Sequence, residues 1–217
     1  MPAAETRTVR TPHGPGRLVT HRAVRPRATL ALTHGAGGGI DARDLVALAR
    51  GLVRHDMTTI LVEMPWVSAG RKIAPAPAVL DECFVALLDQ VRPRVPLVVG
   101  GRSAGARVAC RTGRHVGAVG VLALAFPLHP PGRPEKSRAD ELDTGLPLRV
   151  LQGTRDPFGG PIEMPLGVGV DPVEGADHGF AVRRSDPLDQ AEVLSLLVER
   201  TAVFVERITP ARRRQPA

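Results

Sequence analysis

Tyrosine is absent from the 217 residues, and only two cysteines occur. No apolar run approaches the roughly 18 uninterrupted residues needed to span a bilayer. Each absence excludes a class. With aromatics at 3% of the chain, the stacking platforms of single-strand nucleic-acid binders are missing. Cys83 and Cys110 both fall in amphipathic stretches, where a reduced thiol behaves as a small buried hydrophobe, so no disulfide framework is expected. Neither lies near a histidine in a metal-site spacing, so no metal is expected. The opening residues Met1 to Arg7 carry no apolar core, and a cytoplasmic protein is expected, without membrane attachment.

What the chain does have is arginine. Lys plus Arg number 29 against 22 Asp plus Glu, a formal charge of +7. The positives gather towards the ends, in Arg7, Arg10, Arg17, Arg22, Arg25 and Arg27, then in Arg212, Arg213 and Arg214. Basic patches gain affinity for phosphates through counterion release, but a biased, solvated surface accounts for these residues, and no nucleic-acid partner is expected. Hydrophobic residues make up 43% of the chain, enough for one core.

Apolar runs alternate with helical repeats. Thr6 to Ala23 reads as a hairpin of edge strands around the turn Pro12-His13-Gly14-Pro15-Gly16. Strand Ala28 to Thr33, glycines Gly35 to Gly39, and a helix with Leu45, Leu48, Ala49, Leu52 and Val53 on one face then form a unit. The unit recurs as strand Thr58 to Val62 and helix Val79 to Val91, then as strand Pro96 to Val99 and a helix from Ser103 through Arg111. Strand Val119 to Phe126 is nearly all apolar, strand Leu148 to Leu151 follows, and Val168 to Val173 is a weaker strand broken by Gly169 and Pro172. Asp186 as cap and Pro187 as first residue open the last helix, with Leu194, Leu197, Val198, Thr201 and Phe204 along one face. The pattern predicts an α/β fold with a mostly parallel sheet covered on both faces. Residues 1–27 are expected to form an edge hairpin of the same domain, 28–209 its core, and 210–217 a basic disordered tail.

Active sites in such sheets lie beyond the carboxyl ends of the strands. There, Gly101-Arg102-Ser103-Ala104-Gly105 stands between an apolar strand and a helix of small residues. A serine at a sharp strand-to-helix turn needs flanking glycines, because a Cβ would collide with neighbouring backbone. A plain Gly-Ser turn is the alternative. The hydroxyl needs a base and an orienting acid, which in this arrangement follow it in the order Asp or Glu, then His. Asp156, just after a strand, and His178, in a glycine-flanked loop before the last helix, occupy that order. Asp143 precedes its strand and Asp177 adjoins the histidine, so both are weaker candidates. His13, His21, His55 and His115 read as surface residues.

Acyl transfer also needs amide donors for the oxyanion. The amides of Ala36, in the loop Gly35 to Gly39, and of Ala104, after the serine, are the candidates. A phosphate-cradling loop is the rival for Gly35 to Gly39, but it lacks the Gly-Lys-Ser/Thr ending. No cofactor is expected. His34 reads as a loop brace, and His129 either lines the pocket or sits in a proline-locked turn.

Together with these motifs, Leu32-Thr33-His34-Gly35-Ala36-Gly37-Gly38, Phe126-Pro127-Leu128-His129-Pro130-Pro131-Gly132-Arg133-Pro134, Gln152-Gly153-Thr154-Arg155-Asp156-Pro157-Phe158 and Gly175-Ala176-Asp177-His178-Gly179-Phe180 resemble a known family. It is the small α/β-hydrolase-like family that includes testis-expressed protein 30 and subunit 3 of the NSL histone acetyltransferase complex. More distantly the chain is similar to dienelactone hydrolases. The resemblance covers roughly residues 28 to 208. It implies an α/β-hydrolase fold without a large cap domain and carries Ser103, Asp156 and His178 over as the triad positions. Dienelactone hydrolases usually have a cysteine where this chain has Ser103, which disfavours that activity. The expected function is a serine hydrolase of small carboxylic esters or thioesters; a non-catalytic scaffold that keeps the fold, as in part of that family, is the alternative.

Overall fold

The N-terminal hairpin is the first element of a computed structural model that describes residues 4–209. It pairs β1 (Glu5–Thr11) with β2 (Gly14–His21). The elements that follow are β3 (Ala28–Thr33), α1 (Arg43–Gly51), β4 (Met57–Glu63), α2 (Pro65–Ser68) and α3 (Pro77–Leu88). Next come β5 (Leu97–Arg102), α4 (Ala104–Thr112), β6 (Gly120–Leu124), β7 (Leu148–Gly153), β8 (Val170–Val173) and α5 (Gln190–Ile208). The eight strands form one sheet in the order β1-β2-β4-β3-β5-β6-β7-β8. It is parallel from β4 to β8, with the hairpin antiparallel at one side.

Period-two alternation explains why helices cover both faces. Leu30, Leu32, Val98, Leu122 and Leu124 point to one side, where they pack with Leu45, Leu48, Leu197 and Phe204 of α1 and α5. Ala31, Val99, Val121 and Ala123 point to the other and meet Phe84, Leu87, Ala106 and Ala109 of α3 and α4. Full burial of one such large side chain stabilises by about 1.5–3 kcal/mol. Gly51 permits the close crossing of α1 and α5, since a Cβ there would stand 2.7 Å from the methyls of Val198.

Three local expectations are corrected. Of the two hairpin strands only β1 lies at an edge of the sheet; β2 is paired on both sides, with Leu18 opposite Val62 of β4. Burial of Leu18 draws β2 inward, whereas Arg7, Thr8 and Arg10 keep β1 solvated and discourage further pairing. The last helix is capped by Asp189, not Asp186. Asp189 accepts from the amides of Ala191 and Glu192 at 2.8 Å, and Glu192 reaches back to the amide of Asp189. Asp186 instead holds the loop before it, accepting from the amide of Arg183 and the guanidinium of Arg155. The helix expected over Val79 to Val91 begins at Pro77, which needs no amide partner there, and ends at Leu88.

The segment between β6 and β7 holds only two short 3₁₀ turns, Pro134–Lys136 and Ala139–Leu142. Arg138 ties it to the carbonyl of Pro127, and Arg107 and Arg111 of α4 both pair with Glu141. No cap domain is built from it. The expected basic tail, 210–217, lies outside the described residues. Among the described residues no helix is long and apolar enough to cross a membrane.

Candidate active site

Ser103 stands between the end of β5 and the start of α4, at φ 53° and ψ −116°. A non-glycine residue at positive φ is strained by about 1–3 kcal/mol, and its surroundings hold it there. The Ser103 amide donates to the carbonyl of Leu124 at 2.9 Å. A Cβ on Gly101 would lie 2.7 Å from the carbonyl oxygen of Thr33, and one on Gly105 would lie 2.7 Å from that of His34. Any side chain at either position would push the turn away from β3.

The structure brings Ser103, His178 and Asp156 into one series of hydrogen bonds. His178 Nε2 is 2.8 Å from Ser103 Oγ, and His178 Nδ1 is 2.8 Å from Asp156 Oδ2. A carboxylate only accepts, so Nδ1 is the donor to Asp156, and in the neutral imidazole this makes Nε2 the acceptor facing the hydroxyl. Asp156, 6% exposed, sits in the turn after β7. Its other oxygen accepts from the amide of Phe158 at 2.8 Å.

Asp177 does not approach the ring. Its Oδ1 accepts from the amides of Gly179 and Ala181, at 2.8 and 2.9 Å, and so shapes the loop that presents His178. Asp143 is exposed, at the end of a 3₁₀ turn before β7. Of the other histidines, His115 is exposed, while His13, His21 and His55 are half-buried. His13 pairs with Glu82, and burial pushes His21 below its ordinary pKa.

Two partners were not singled out in the sequence. Gln152 Nε2 donates to Asp156 Oδ2 at 2.9 Å and to the carbonyl of Gly159 at 2.7 Å. The Phe158 ring stacks on His178 with centroids 4.2 Å apart. Both lie in the Gln152 to Phe158 motif, but only the turn after β7 reveals which atoms they face.

The Gly35 to Gly39 loop runs beside the serine: a Cβ on Gly35 would stand 3.3 Å from that of Ser103. Ala36 is exposed at its tip. Ala104 is the first residue of α4, where an amide has no acceptor within its helix. His34 braces the loop, as its motif position implies. Its Nε2 accepts from the amide of Met64 at 3.1 Å, and its Nδ1 donates to the carbonyl of Gly35 at 2.9 Å. Burial holds its pKa below the ordinary value. His129 is set in the proline-locked turn, between the carbonyl of Pro130 at 3.0 Å and Glu163 at 3.1 Å, and those two groups raise its pKa. A cleft of about 920 Å³ opens beside the loop, lined by Ala36 to Asp41, Trp66 and Lys72 among others. Among the described residues no three His, Cys, Asp or Glu side chains are grouped to hold a metal ion.

The fold is similar to that of XC6422 from Xanthomonas campestris, a serine hydrolase without a lid. The TM-score is 0.76 at 19% identity, covering 98% of this chain and 99% of that one. A serine hydrolase homologue from Coxiella burnetii gives 0.74 at 18% identity, over 92% and 98% of the two chains. Dienelactone hydrolase from Anabaena variabilis gives 0.71 at 14%, over 95% and 98%. No curated protein matches the chain in sequence. A family model for the α/β hydrolase domain matches residues 26–206, and the chain belongs to that family.

Proposed function

We propose that the protein is a serine hydrolase of small carboxylic esters or thioesters, acting through an acyl-enzyme. The observation that carries this reading is the unbroken series Ser103 Oγ, His178 Nε2, His178 Nδ1 and Asp156 Oδ2, with both links at 2.8 Å. As the Ser103 oxygen attacks the substrate carbonyl carbon, its proton passes to His178 Nε2. Asp156 holds the ring in the required tautomer and steadies the imidazolium. The amides of Ala36 and Ala104 donate to the oxyanion of the tetrahedral intermediate. Collapse breaks the bond from carbon to the leaving oxygen or sulfur, and the leaving group takes the proton from His178. A water, deprotonated by the same nitrogen, then attacks the ester of Ser103 and releases the acid. No cofactor enters this cycle.

A lidless fold and a short β6–β7 segment support small acyl groups. Ser103, in place of the usual cysteine, supports ester or thioester substrates over dienelactones. The thiols of Cys83 and Cys110 are free and buried, in keeping with a reducing compartment, and this supports a cytoplasmic location.

A fluorophosphonate probe tests the reading directly. It should label the parent protein at Ser103 and leave Ser103→Ala unlabelled, and p-nitrophenyl acetate turnover should vanish with the label. A well-folded protein that neither labels nor turns over any ester would instead be a scaffold that retains the fold.

A further inference from the structure

We propose that Arg102 is a positioning residue for His178: anchored on the buried carboxylate of Asp44, its guanidinium holds the His178 main chain and so sets the reach of the imidazole to Ser103. The proposal rests on the hydrolase reading above. Arg102 precedes the candidate nucleophile, so its backbone is fixed by the same turn. Its side chain, 20% exposed, spans two other parts of the site. Nη2 donates to the carbonyl of His178 at 3.3 Å, and Nε lies 3.6 Å from Asp44 Oδ2. Asp44 lies in the first turn of α1, which follows the loop that carries Ala36, and it is 1% exposed.

Arg102 Nε and Asp44 Oδ2 are buried, and neither has a hydrogen-bond partner, so each faces chiefly the opposite charge. Burial raises the Asp44 pKa, and Arg102 is the foremost group opposing that rise. Desolvating both charges offsets most of their attraction, which makes the pair a poor source of net stability. What it supplies is direction. The loop from Asp177 to Ala181 is closed on itself by the Asp177 carboxylate, and Gln190 holds the carbonyl of Phe180 at 2.9 Å. Arg102 is the side chain that holds residue 178 by its main chain. Gly179 leaves the approach open, since a Cβ there would stand 3.3 Å from Arg102 Nη2.

The full chain carrying Arg102→Met, Arg102→Lys, Asp44→Asn or the double substitution Asp44→Asn/Arg102→Met decides the matter. Steady-state kinetics on p-nitrophenyl acetate would be combined with the proton NMR signal of His178 Nδ1–H. Losing a charge-assisted hydrogen bond is expected to lower kcat about tenfold in Arg102→Met, with KM changed by less than about twofold. The His178 signal should broaden or move upfield, and Arg102→Lys should recover part of both. The double variant leaves no unpaired charge, so it carries the test if Arg102→Met alone fails to fold. If Asp44 acts through Arg102, the double variant is no slower than Arg102→Met. A parent-like kcat and an unmoved His178 signal in the double variant would overturn the proposal. A parent protein with no turnover and no Ser103 labelling would overturn the hydrolase reading alone, because the His178 signal still reports whether Arg102 holds the ring.

Discussion

The first turn of α4 lies so close to the loop after β3 that a Cβ on Gly105 would stand 2.7 Å from the carbonyl oxygen of His34. The obstacle is backbone, which cannot rotate aside. Gly105→Ala should therefore push the candidate oxyanion loop from Ser103, costing about 1–3 kcal/mol of stability. It should lower kcat/KM at least a hundredfold, since loss of one oxyanion donor costs about that much. Thermal unfolding and ester turnover measured together would check this; a Gly105→Ala protein as active as the parent refutes the assignment of that loop.

Asp156, and not Asp143, is expected to orient His178. Asp156→Asn should lose turnover by about 10⁴-fold, the cost of a wrong imidazole tautomer, while Asp143→Asn, changed at an exposed site, should match the parent. The opposite pattern in folded proteins would reverse the roles given to them.

Short acyl chains should be preferred. The segment between β6 and β7 is two 3₁₀ turns pinned by Arg138 and by the Glu141 ion pairs, so it builds no helical cap over a long chain. kcat/KM along a p-nitrophenyl series from acetate to palmitate should fall steadily, and a rise towards palmitate contradicts the open site.

His34 makes the fold sensitive to mild acid. Burial lowers its pKa in the folded state, so between the unfolded value near 6.5 and the lower folded one, the unfolded chain binds the extra proton. Stability from this residue is complete above the unfolded pKa and is lost as the pH falls through that window. Chemical denaturation at pH 8 and pH 5 should show a smaller difference for His34→Gln than for the parent. An equal difference in both proteins removes His34 as the source.

Asp189→Ala should lower stability by about 1 kcal/mol, the usual worth of an N-cap, whereas Asp186→Ala should leave the α5 cap intact. Asp186→Ala also loses its bonds to Arg183 and Arg155, so hydrogen exchange at the amides of Ala191 and Glu192 is the measurement that separates the two: faster in Asp189→Ala, parent-like in Asp186→Ala.

Much of this protein was legible before any coordinates. Continuous apolar runs placed β3, β4, β5 and β6 within a few residues, because a strand buried on both faces has little freedom in composition. Gly101 and Gly105 marked the turn at Ser103, since their need arises from the backbone packed against that turn. The Asp186-Pro187 pair misled, because it is a sound local start signal and Asp189 with Glu192 offered a better one, a capping box. Tertiary structure alone decided which distant groups meet. That β2 runs beside β4, that Gln152 donates to Asp156, and that Arg102 lies between Asp44 and His178 all depend on strand order and on the closing of long loops. Sequence spacing carries local periodicity and turn chemistry, but contacts between residues 58 or 76 apart are set by packing of the whole sheet, and no short pattern encodes them.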